Sequence, residues 1–109
     1  MGLAEPNVVD AIGIEKTTGH VVLTIADGLD WSDAREHILA LKEKMKAYLL
    51  FVETGEIWSS YPSGKGRSIV IDVVHQFSLP PEAEELMHHV GLVAAELQVT
   101  IRSSHVPMK

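Results

Sequence analysis

Between residues 31 and 52 the apolar positions Trp31, Ala34, Ile38, Leu41, Met45, Tyr48 and Val52 step by three and four without a miss. That spacing gathers them on one stripe of an α-helix. On either side of this segment the period drops to two. Residues 20–26 set Val21, Leu23 and Ile25 against His20, Val22, Thr24 and Ala26, the alternation of a half-buried strand. Residues 67–77 carry the strongest strand pattern, with Ile69, Ile71, Val73, His75 and Phe77 on one face and Val70, Asp72, Val74 and Gln76 on the other. A second helical stripe then follows through Ala83, Leu86, Met87, Val90, Val93, Ala94 and Leu97. Its start is marked by Leu79-Pro80-Pro81, proline being suited to the first helical position. Residues 98–103 alternate again, with Val99 and Ile101 inward.

Weaker segments complete the order. The β-branched run at 8–14 predicts a first strand, and Lys16-Thr17-Thr18-Gly19 is turn chemistry. Asp30 or Ser32 is placed to cap the first helix, and Gly55 to stop it in the left-handed conformation. Ile57, Trp58 and Tyr61 predict a short strand at 56–61, turned by 62–66 into the strong one. The order is β-β-α-β-β-α-β. This predicts an α+β fold, an antiparallel-dominated sheet with two helices on one face, a ferredoxin-like sandwich with an extra N-terminal strand. One conflict stands inside that prediction. In the ferredoxin-like order both neighbours of the strand at 20–26 are taken, yet the turn at 16–19 invites a hairpin with the first strand. If the hairpin forms, the last strand moves to a sheet edge.

Length and composition narrow the function classes. A chain of 109 residues is expected to be one domain, spanning 1–109 with loose ends at 1–6 and 104–109. There is no cysteine, which removes disulfides and thiolate chemistry and suits a reducing cytoplasm. A net charge of −6 disfavours nucleic acid and anionic membranes as partners. No stretch has the ~20 apolar residues of a membrane span, and the N-terminus has no signal-peptide pattern. The expectation is a cytoplasmic protein without nucleic-acid or membrane partners.

Candidate chemistry is sparse. The six histidines show no metal-ligand spacing, and His88 and His89 point apart on a helix, so no metal and no cofactor is expected. No Ser/His/Asp set or nucleotide fingerprint occurs, and no residue is assigned as catalytic. Ser60 to Ser68 is turn-rich but joins two expected strands, unlike a phosphate loop. His75 is unusual as a polar residue on the apolar face of the strong strand. Glu53 and Glu56 flank the end of the first helix, where negative charge opposes the helix dipole. Trp58 and Tyr61 are aromatic anchors of the kind enriched in binding sites. Glu53, Glu56, Trp58, Tyr61 and His75 are therefore the candidate ligand- or partner-binding residues. With both helices on one side, the opposite face keeps Val22, Thr24, Val70, Asp72 and Val74, too apolar for a solvated surface. That face is the candidate self-association surface of a homodimer.

Over residues 7–102 the chain resembles a family of small bacterial proteins known only as a domain of unknown function. The likeness rests on Asn7-Val8-Val9-Asp10, Asp30-Trp31, His37-Ile38, Lys44 with Tyr48-Leu49, Glu53-Thr54-Gly55-Glu56-Ile57, Tyr61-Pro62 and Gly66-Arg67. The resemblance supplies no activity or substrate. It implies that Glu53, Gly55, Glu56, Tyr61 and Pro62 belong to a recurrent pattern, and it draws attention to the junction of first helix and edge strand. The reading is a non-enzymatic protein-interaction or regulatory module that self-associates. The alternative is a small-molecule-binding protein or minor enzyme, with Glu53, Glu56, Tyr61 and His75 converging in a cleft at the first-helix end.

Overall fold

The structure is a computed structural model that describes residues 2–107. Strands β1 (Ala11–Ile14), β2 (Val21–Asp27), β3 (Ile69–His75) and β4 (Val99–His105) form one sheet in that order. The hairpin forms, with Ile14 opposite Val21 in an antiparallel pair, and β4 accordingly stands at the far edge. The pairs β2–β3 and β3–β4 are parallel, connected by helices α1 (Ala34–Glu53) and α3 (Pro81–Glu96). The sheet is thus mixed, and the expected antiparallel-dominated, ferredoxin-like order is corrected.

The correction traces to residues 56–61. Glu56–Ser60 is a short helix, α2, where a strand was expected. Gly55 ends α1 at φ +80, a conformation that glycine adopts without steric cost, and the chain coils again at once. Ile57 is the one fully buried residue of the five, so the β preference of Ile57 and Trp58 has no sheet to act in. Tyr61 then leads into a single 3₁₀ turn, Pro62–Gly64. A methyl group on Gly64 would stand 2.6 Å from Val21 Cγ2 and 3.0 Å from Tyr61 Cδ2, so this turn is wedged against the sheet. With no strand between α1 and β3, the path β2–α1–β3 becomes a parallel crossover, and β3–α3–β4 repeats it.

Helices α1 and α3 pack against each other on one face of the sheet. Val21, Leu23, Ile25, Ile69, Ile71, Val73 and Val99 meet Leu41, Met45, Tyr48 and Ala94 there as one core. Helix α1 is capped by Asp33, whose carboxylate accepts the Glu36 N–H at 3.2 Å, in place of the expected Asp30 or Ser32. Val93, expected on the buried stripe of α3, is 56% exposed. Residues 2–6, expected to be part of a loose end, lie against α1 with Leu3 in the core. Ser104 and His105 continue β4. Of the expected loose ends, residues 1, 108 and 109 lie outside the described residues.

Candidate functional site

The buried stripe of α1 contains two polar residues, because His37, Leu41, Lys44 and Tyr48 follow one another at helical spacing. Each heads a hydrogen-bonded cluster. Lys44 is fully buried, and its Nζ donates to the carbonyls of Gly2, Glu5 and Val8 at 2.7, 2.9 and 2.8 Å and to Asp10 Oδ1 at 3.0 Å. Asp10 also accepts the N–H of Gly2 and of Ala26, both at 2.8 Å. It thereby occupies the ladder position on β2 that β1 leaves open. Burial alone would raise the Asp10 pKa, but the two N–H bonds and Lys44 outweigh it and hold the carboxyl below its ordinary value. The Tyr48 hydroxyl donates to the Thr24 carbonyl at 2.6 Å and accepts the Asp10 N–H at 2.8 Å. Burial pushes its pKa up to about 12.

The second cluster sits where β2 runs into α1. His37, 2% exposed, places Nε2 2.6 Å from Asp27 Oδ2, while its Nδ1–H donates to the Asp30 carbonyl at 2.8 Å. Trp31 stacks on the ring with centroids 3.5 Å apart and planes 12° from parallel. Both ring nitrogens are taken. Asp30 itself is held low in pKa, first by the Ser32 hydroxyl and then by the Ser32 N–H. Asp10, Lys44 and Tyr48, and Asp30, Trp31 and His37, are residues that carried the family resemblance. Their work in this molecule is to tie the N-terminal segment and the β2–α1 loop to the first helix. The spacing from His37 through Lys44 to Tyr48 was the signal in the sequence that could have revealed both clusters.

The third cluster is left open. In-register pairing sets Asp27, His75 and His105 in one row at the carboxyl ends of β2, β3 and β4. His75 is 6% exposed, and its Nδ1–H donates to the Phe77 carbonyl at 2.8 Å. Its Nε2 has no protein partner among the described residues. The His105 ring lies parallel to it, with centroids 5.1 Å apart and planes at 4°, and donates from Nε2 to the Gln76 carbonyl at 3.1 Å. Both imidazoles, with a third from His88, line a cleft of about 460 Å³ that Glu84, Met87 and Arg102 also border. Among the described residues no three His, Asp or Glu side chains are grouped to hold a metal ion.

The other sequence candidates lie elsewhere. Glu53 and Trp58 share a cleft of about 560 Å³ at the start of β3, beside Lys65, Arg67 and Ile69. Glu56 borders a separate groove with Pro6 and Phe51. Trp58 and Tyr61 both face Gly64. Glu53 and Glu56 are exposed. His75 is at the opposite end of β3, about 20 Å away at ~3.3 Å per residue. The four residues of the cleft alternative, Glu53, Glu56, Tyr61 and His75, are not brought together.

On the helix-free face, Val22, Thr24 and Val74 are partly exposed, while Val70 and Asp72 are buried. Arg102 of β4 reaches across this face, its Nε 3.3 Å from Asp72 and its Nη2 2.9 Å from Glu15. Ser104 donates to Asp72 at 3.0 Å. The bond to Arg102, and then that from Thr18, hold Glu15 below its ordinary pKa, and Glu15 in turn raises Arg102. Two carboxylates of this face thus share one guanidinium.

No helix among the described residues is long and apolar enough to cross a membrane. No curated protein and no solved structure matches the chain. A family model does match, over residues 1–106, and the chain accordingly belongs to the family of unknown function DUF6572.

Proposed function

We propose that the protein is a small, non-enzymatic interaction or regulatory module that self-associates through the helix-free face of its sheet. The observation that carries this reading is the parallel run β2–β3–β4 with both helices on one side. Parallel strands occur almost always in sheets covered on both faces. Here Val22, Thr24 and Val74 are partly exposed on the helix-free side, and Val70 beside them is buried.

A second copy is the occupant that fits best. The face is β-branched and matches itself, and its carboxylates, Asp72 and Glu15, both contact Arg102 within one chain. Three strands ~23 Å long and β1 ~13 Å long, spaced ~4.8 Å apart, give a footprint of roughly 390 Å² a side, so a dimer would bury about 800 Å². That is well below the ~1,200 Å² at which stable specific interfaces begin, which predicts a weak, concentration-dependent dimer. The non-enzymatic part of the reading is supported by Lys44, Asp10, Asp27 and His37, all consumed in structural bonds. The absence of cysteine fits a cytoplasmic setting.

Analytical ultracentrifugation over a hundredfold concentration range tests the reading. The wild type is expected to pass from monomer to dimer, and Val22→Lys with Val74→Lys to remain monomeric with an unchanged circular dichroism spectrum. A wild type that is monomeric throughout, or a variant that still dimerises, overturns it.

A further inference from the structure

We infer that the loop joining β2 to α1, residues 28–33, is a proton-dependent clasp: a protonated His37 holds it shut over the start of α1, and loss of that proton releases it. The inference begins with what the ring faces. Nδ1 stands 2.8 Å from the Asp30 carbonyl oxygen, which can only accept, so that nitrogen carries a hydrogen. Nε2 stands 2.8 and 2.6 Å from the two oxygens of Asp27, which also accepts the Leu29 N–H at 3.2 Å. Close approach to both oxygens is the arrangement of an N–H donor meeting a carboxylate. Two donating nitrogens make the ring an imidazolium. Without its proton the ring would turn a lone pair toward the carboxylate or the carbonyl, and one of the two bonds would become a repulsion.

The ring is also what ties the loop down. Apart from the half-buried Trp31, residues 28–33 are exposed. They reach α1 through His37, by the Asp30 carbonyl and by the Trp31 ring stacked on the imidazole. Their other hydrogen bonds join near neighbours, such as Leu29 to Asp27 and Ser32 to Asp30. An imidazolium attracts the indole face more strongly than a neutral ring does. The closed loop still leaves one group unsatisfied: the Trp31 Nε1–H is buried and has no partner among the described residues. Folding leaves few such donors unpaired, and water would complete this one once the loop opens. The clasp thus offsets a standing cost of closure. The charged groups around the ring favour its proton. Asp27 faces it from β2, and the Asp30 carboxylate of the loop interacts with its charge. On α1 itself Asp33 stands one turn earlier, at the cap, and His75 of β3 pairs in register with Asp27. The positive end of α1 opposes a cation in its first turns, so closure leans on the two carboxylates. The clasp is independent of the self-association reading, because α1 and the helix-free face lie on opposite sides of the sheet.

The test follows the intact protein by NMR from about pH 5 to about pH 9.5, a span that brackets imidazole titration and stops short of tyrosine. Long-range ¹H–¹⁵N spectra report both nitrogens of His37. Solvent exchange of the Trp31 indole N–H, relative to an exposed indole at the same pH, reports the loop. On the acid side both nitrogens are expected to carry hydrogens and the indole to be protected at a constant level. Once the ring loses its proton, protection should fall about tenfold per pH unit, as linkage to one proton requires, while the amides of β3 stay protected. Asp27→Asn is expected to keep the loop shut and erase the pH dependence, because the asparagine amide can donate to a neutral Nε2. A ring that is neutral on the acid side, or still protonated at the alkaline end, overturns the inference. So does an indole whose protection ignores the titration of His37, or an Asp27→Asn protein that repeats the wild-type fall. If Asp27→Asn fails to fold, the two signals of the wild type decide alone.

Discussion

His37 and His75 stand at the same end of the sheet, and both are buried, at 2% and 6% exposure. They differ in what their second nitrogen meets. His37 uses both, on the Asp30 carbonyl and the Asp27 carboxylate, and its ring face is covered by Trp31. His75 uses one, on the Phe77 carbonyl, and its other nitrogen meets no protein group among the described residues. Burial therefore does not separate a structural histidine from an available one. What the second nitrogen faces does: His75 Nε2 opens onto a cleft, whereas the buried nitrogen left without a partner among the described residues is Trp31 Nε1, in the His37 cluster.

Lys44 is the extreme of the saturated kind and gives the largest expected effect. Lys44→Met removes the ammonium that pairs with Asp10 and strips the carbonyls of Gly2, Glu5 and Val8 of their donor. Breaking a buried pair by removing one partner costs about 3–5 kcal/mol, so chemical denaturation should show a loss of that size. The same cluster predicts a pH response at both ends of the scale. Asp10 has a lowered pKa in the folded state, so the unfolded chain binds its proton first as pH falls. Its contribution is complete above the ordinary carboxylate range and declines through the acid region toward the folded value. Tyr48 is raised to about 12, so the unfolded chain loses its proton first. Stability should fall again as pH climbs from about 10 to 12. A Tyr48→Phe variant that kept the alkaline decline unchanged would remove Tyr48 from that account.

The comparison between the histidines sharpens with His37→Phe. The substitution leaves the Asp27 carboxylate buried without its partner, a loss of about 2–4 kcal/mol. Adding Asp27→Leu should recover part of it, since replacing both members of a buried pair by apolar groups is often near neutral. A double-mutant coupling above about 1 kcal/mol in denaturant midpoints would establish the pair as one unit. Additive losses would mean that each residue is held by other contacts.

Much of this architecture is legible in the sequence, and the failures have physical causes. The long stripes of α1 and α3 and the alternation in β2 and β3 are strong because many residues repeat one period. The five residues of α2 are too few for either period to show, so Ile57 and Trp58 were read by propensity alone. From that one misreading followed the wrong strand count and the wrong sheet sense, because a strand at 56–61 would have made β3 the second arm of a hairpin. His75 was legible as a polar residue on an apolar face. Lys44 and Asp10 were less so: they lie 34 positions apart, and no local pattern says that a lysine within a helical stripe will find carbonyls from the N-terminus. Glu53 and Glu56 stand out as locally unfavourable, but in the fold they are exposed on either side of the helix break that Gly55 makes.

The smallest expected effect decides most about the comparison. His75→Phe removes one hydrogen bond, to the Phe77 carbonyl at 2.8 Å, worth about 0.5–1.5 kcal/mol. Against that loss, phenylalanine keeps a flat ring beside His105 and no longer leaves an unpaired nitrogen in the wall of the cleft. The two terms nearly cancel, so the net change in stability should stay below about 1 kcal/mol. The variant should therefore melt close to the wild type, while His37→Phe, of similar burial and identical chemistry, does not. Should His75→Phe lose as much as His37→Phe, the free nitrogen would have a structural partner after all, such as a bound water bridging to the loop. The distinction between a saturated and an available histidine would then fail in this molecule. Near-equality with the wild type would instead mean that His75 is held at the end of β3 for a reason other than folding.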